Sequence, residues 1–98
     1  ESMDAYSVIM ALEAGARLLI GSERYLDGAE LMGASERIHR HTRIVTPATE
    51  AAALRHAREL AADAVGTEAV AMAIARGNEW SPRAAIDRFL SWIEDPTR

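Results

Sequence analysis

The chain has 98 residues, which suits one domain built around a single core. Its apolar share of 49% and charged share of 27% exclude a disordered tail, and its formal charge of −4 argues against a domain that works mainly by neutralising nucleic-acid phosphates. Without cysteine there are no disulfides, thiolate metal sites or cysteine nucleophile.

Twenty residues are alanine and five are aromatic. Alanine loses no side-chain entropy in a helix, whereas strands need the β-branched and aromatic residues that are scarce here, so the expected fold is all-α. No apolar run approaches a membrane span and no signal peptide is visible, so the expected compartment is the cytoplasm, with no membrane partner. The chain opens Glu1-Ser2-Met3 without an initiator methionine, and residues 1–98 therefore read as one helical-repeat-like domain cut from something longer.

Five helical segments follow in order. The first runs from about Asp4 to Ser22, with Val8, Leu12, Ala16 and Leu19 on one stripe and a Glu13/Arg17 pair on the outside. The second, from about Leu26 to His41, carries a stripe of Leu31, Ala34, Ser35 and Ile38 beside a small-residue face of Ala29 and Gly33. The short link at Glu23 to Tyr25 makes these two an antiparallel hairpin. Thr42 to Thr46 is a break, after which Thr46 reads as an N-cap and Pro47 as the first helical residue. The third helix places Leu54, Ala57, Leu60, Ala61 and Ala64 inward and stops at Gly66.

A fourth, shorter helix covers about Thr67 to Arg76, with Val70, Ala73 and Ile74 inward, and ends at Gly77. Trp80-Ser81-Pro82 then restarts the chain: Ser81 caps, Pro82 takes the first turn, and Trp80 folds back toward Ala85. The fifth helix, to about Glu94, carries Ile86, Phe89, Leu90 and Ile93 as its inward stripe, and Asp95-Pro96 ends it.

Little in the sequence proposes chemistry. His39 and His41 are two apart, on different helix faces, and His56 lies elsewhere, so no metal-ligand spacing is present and no cofactor is expected. The carboxylates Glu59, Asp63 and Glu68 are spread around helices, with no phosphate loop and no nucleophile elbow, so no enzyme is expected. Arg37, Arg40 and Arg43, with His39 and His41, form a basic patch at the end of the second helix; it complements the helix dipole and is a candidate contact for an acidic partner. Trp92 falls off the centre of the fifth-helix stripe. It belongs either to a wide buried face or to an exposed aromatic anchor of the kind enriched at interfaces, with Trp80 as a second candidate.

Gly28-Ala29-Glu30-Leu31-Met32-Gly33-Ala34-Ser35-Glu36-Arg37-Ile38 resembles the "A-A-x-L-x-G-A-A-E-x-L" helix near the end of bacterial LuxR-type regulators and predicted signal-transduction ATPases, some of which carry an adenylate or guanylate cyclase domain. The likeness continues through a Pro-containing loop (Ile44 to Pro47), a helix at Ala53 to Leu60, and a segment from Val65 to Gly77 similar to "L-G-x-x-x-F-x-x-A-x-x-x-G". It ends in a helix at Ser81 to Ile86. Val70 stands where that pattern has an aromatic residue.

The resemblance spans roughly residues 10 to 93 and implies a tetratricopeptide-like array of helical hairpins. In such regulators the array relays the state of a ligand or partner to the ATPase and DNA-binding parts. It implies a non-catalytic interaction or scaffold module that contacts protein, including a second copy through the first or fifth helix, and does not itself bind nucleic acid. The competing expectation is a small helix-turn-helix DNA-binding domain, with Gly77 between its two helices.

Overall fold

The computed structural model describes residues 4–94. Among these the chain forms five helices and no strand: α1 (Ala5–Gly21), α2 (Tyr25–His41), α3 (Ala48–Val65), α4 (Thr67–Gly77) and α5 (Pro82–Glu94). The Cα radius of gyration is 12.4 Å, close to the roughly 13 Å of a packed chain of about 100 residues, so the helices form one body. No described helix is long and apolar enough to cross a membrane. The stop at Asp95-Pro96 lies outside the described residues.

α1 starts on Asp4, whose carboxylate accepts from the Ser7 backbone N–H at 3.2 Å and from its hydroxyl at 2.9 Å. It ends in a Schellman turn. The Arg24 N–H reaches the Leu19 carbonyl at 2.8 Å and the Glu23 N–H reaches that of Ile20 at 3.0 Å, with Glu23 held at φ 67°. Arg24 then pairs with Asp27 at 2.8 Å in the first turn of α2. The expected hairpin is therefore built by one reversal of three residues.

α2 is the centre of the molecule and packs on all four other helices. Its seam with α4 is the closest in the fold. A Cβ on Gly33 would collide with the backbone carbonyl of Ile74, and a Cβ on Gly77 with that of Glu30. The two glycines thus let the backbones touch reciprocally. Gly77, read in the sequence only as a helix end, is also half of this crossing. Val70, Ala73 and Ile74 are buried as expected, as are the stripes of α1 and α2.

Three local expectations are corrected. Thr46 does not cap α3; Pro47 occupies the N-cap with no side-chain bond, and the Thr46 hydroxyl turns to Glu13 instead. α3 buries only Ala57 and Ala61, leaving Leu60 and Ala64 exposed and Leu54 half-buried. On α5, Ala85 and Trp92 are the buried residues, Ile86 and Phe89 are half-buried, and Leu90 and Ile93 face out.

Two punctuation readings hold. Gly66 has φ 99° and ψ 144°, a conformation open to glycine, and separates α3 from α4 by a single residue. Ser81 Oγ accepts from the Ala84 N–H at 3.1 Å and so caps α5.

Candidate interaction face and polar clusters

The rotation of α5 follows from two residues. Trp92 has more apolar surface to bury than any residue of the expected stripe, and it turns inward until only 5% of it is exposed. Phe89 follows into a slot opened on α1 by Gly15, where even a Cβ would meet the ring at 2.8 Å. Trp92 is therefore buried and is not an exposed anchor, but the buried face of α5 is rotated instead of widened, since Leu90 and Ile93 leave it. The cost of this rotation falls on Leu90 and Ile93.

Leu90 and Ile93 do not stand alone. α1 and α5 run in the same direction, since Ser7 and Ala11 line a shallow groove with Ile86 at one end while Leu18 lines another with Phe89 and Ile93 at the other. Between the grooves, α1 exposes Ser7, Ala11, Ala14 and Leu18, spaced for one helix face. Leu18 is 60% exposed, Leu90 48% and Ile93 52%. These residues and Ile86 make a largely apolar two-helix surface, with Asp4 beside it at the Ile86 end and Arg24 at the Ile93 end.

Trp80, half-buried, meets Trp92 with ring centroids 6.5 Å apart. The Arg88 guanidinium lies 4.4 Å over the Trp80 ring and 5.5 Å over Trp92, and Arg24 also lies over Trp92, at 5.6 Å. Arg88 also stands 3.6 Å from Glu30, a buried carboxylate whose other oxygen accepts from Arg76 Nε at 2.9 Å. Glu30 Oε1 has no hydrogen bond of its own. Together these groups tie α5 and α4 to α2, so both tryptophans serve the fold here.

At the end of α2, Arg40 and Arg43 are exposed and Arg37 is half-buried; none of the three forms an ion pair among the described residues. His41 stays with them, its Nδ1 donating to the Arg37 carbonyl at 2.8 Å. His39 leaves the patch. Its ring turns inward to Glu13, which is buried and makes no pair with Arg17, contrary to the exposed pairing expected from their spacing.

Glu13 accepts from Ser35 Oγ at 2.6 Å and from Thr46 Oγ1 at 3.0 and 3.1 Å, and lies 2.9 Å from His39 Nε2. His39 Nδ1 donates to the Ile44 carbonyl at 2.7 Å. An acid, an imidazole and two hydroxyls meet here, but not as a nucleophilic relay. Such a relay needs the acid on one ring nitrogen and the hydroxyl on the other. Here the acid and Thr46 share Nε2, while Nδ1 is spent on the backbone. Ser35 is closed off, with its proton directed at Glu13. The sequence held no local sign of this cluster, because its members come from α1, α2 and the loop after it.

No group of three or more His, Asp or Glu side chains suited to a metal ion is found among the described residues. Compared with protein-family models, curated proteins and solved structures, the chain shows no match.

Proposed function

We propose that this chain is a non-catalytic helical interaction module that works through the α1–α5 face, contacting protein and in the first instance a second copy of itself. The observation that carries the reading is the largely apolar surface of Ser7, Ala11, Ala14, Leu18, Ile86, Leu90 and Ile93, on which three large aliphatic residues are about half exposed or more. Apolar surface gathered on one face, instead of scattered singly, is typical of contact sites. A face made of two parallel helices pairs with its own copy about a two-fold axis, the commonest symmetry of soluble oligomers.

The resemblance of residues 10–93 to the tail of LuxR-type regulators supports the same reading from the sequence side. In a regulator of that kind the module would pass the state of a ligand or partner to ATPase and DNA-binding parts. Light scattering over a concentration series tests the proposal. A mass that rises to twice the chain mass, and stays at one chain mass in Leu90→Glu and Ile93→Glu, is the expected result. A wild-type protein that remains monomeric at the highest attainable concentration would sink self-association.

A further inference from the structure

We propose that the hollow between the start of α1, the end of α2 and the start of α5 is a binding site for a small aliphatic carboxylate. Its acid group would meet Arg37 and Thr42, and its stem would lie on Ile38. The hollow has a volume of about 270 Å³ and is lined by Ala5, Arg37, Ile38, His41, Thr42 and Pro82. At ~30 Å³ for each water-sized group it takes roughly nine non-hydrogen atoms, fewer than a drug-sized ligand carries. Ala5, Ile38 and Pro82 give it an apolar wall.

The polar edge of the hollow holds donors without acceptors. Arg37 is half-buried, and among the described residues its guanidinium makes no ion pair and no hydrogen bond. The Thr42 hydroxyl oxygen accepts from the Ile44 N–H at 3.3 Å, and among the described residues its own proton goes to no acceptor. The His41 ring is fixed at the same edge by the 2.8 Å bond from its Nδ1 to the Arg37 carbonyl. A guanidinium fork binds both oxygens of a carboxylate, and a hydroxyl donates to one of them.

The charge around the hollow has the sign that draws an anion. Arg40 and Arg43 add exposed positive charge at the same end of α2, in a chain whose formal charge is −4. α1 and α5 begin beside the hollow and α2 ends there, so two positive helix ends stand against one negative. The nearby acids are engaged elsewhere. Asp4, next to Ala5, accepts from the Ser7 N–H and hydroxyl, and Asp87 lies 3.7 Å from Arg83. An inorganic anion would leave the apolar wall uncovered, and a nucleic-acid strand would need stacking rings of Trp, Tyr or Phe, which do not line the hollow. None of the six lining residues belongs to the α1–α5 face, so the site stands or falls separately from self-association.

The test is an NMR titration of the isotope-labelled wild-type chain with sodium hexanoate, a probe of the size the hollow takes. The expected result is saturating amide shifts at Ala5, Ile38 and Thr42, with a dissociation constant on the order of 1 mM. Arg37→Gln should bind about tenfold more weakly, whereas Arg40→Gln, outside the hollow, should stay within about twofold of the wild type. Ala5→Leu fills the hollow from the α1 side and should abolish saturation with Arg37 still in place. Shifts that fail to saturate by about 50 mM would overturn the proposal. So would shifts that phosphate or hexanol reproduces with the same affinity, or that an oligoglutamate peptide reproduces with a higher one. Undiminished binding in either Arg37→Gln or Ala5→Leu overturns it as well, and should neither variant fold, the wild-type comparison of hexanoate with phosphate and hexanol decides alone.

Discussion

Glu13 sits where water does not reach, and three donors depend on it. Glu13→Ala leaves the Ser35 hydroxyl and the His39 ring without an acceptor, at an expected cost of about 3 kcal/mol in urea unfolding. The glycines divide in the same way, by what surrounds them. Ala at Gly33 or Gly77 drives a methyl into a neighbouring backbone carbonyl, which cannot swing aside as a side chain can, and each substitution is expected to cost about 2 kcal/mol or more. Gly21 has open space around it at the end of α1, so Gly21→Ala is expected to be neutral or to stabilise by up to about 1 kcal/mol. Glu23 is the opposite case, a side-chain-bearing residue at φ 67° where glycine is at ease. Glu23→Gly is expected to raise stability by about 1 kcal/mol, measured by the same unfolding curves.

At the scale of the element, α5 shows how periodicity can name a helix and still misplace its face. Its apolar residues cover more than half of the helix circumference, so spacing alone allowed several orientations. Packing chose the one that buries Trp92 and seats Phe89 on Gly15. Trp92→Ala is accordingly expected to cost about 3–5 kcal/mol, whereas Ser81→Ala, which loses only the cap to Ala84, should cost about 1 kcal/mol. Thermal unfolding followed by the residual tryptophan signal distinguishes the two. α3 is held by little more than Ala57 and Ala61, so amide exchange should find it opening before α1 and α2.

For the whole molecule, the relevant asymmetry is between two surfaces. Among the described residues the arginines at the basic end of α2 make no ion pair, while the α1–α5 face carries large aliphatic groups with charge only at its ends. Because the latter's residues are exposed, Leu90→Glu and Ile93→Glu should change monomer stability by no more than about 0.5 kcal/mol while abolishing association. Association through a largely apolar surface should also survive high salt, unlike a contact made by Arg37, Arg40 and Arg43. Sedimentation at low and high ionic strength checks both expectations at once.

The amino-acid sequence alone was enough to determine the all-α class, the number of helices, the α1–α2 hairpin, the Ser81 cap and the break at Gly66. These depend on propensity, capping and turn chemistry, which act over three or four residues and leave their signature in the local order of side chains. It also placed the inward stripes of α1, α2 and α4, where one face is plainly more apolar than the other. What only the tertiary structure decided was the use of residues whose partners are remote in the chain. Glu13 reads as one half of an i, i+4 surface pair until Ser35, His39 and Thr46 are brought around it. Gly77 reads as a helix stop until α2 lies against it, and Leu90 reads as core until Trp92 takes the core position. In each case the local pattern permitted more than one role, and the choice was made by contacts between helices that no short window of sequence contains.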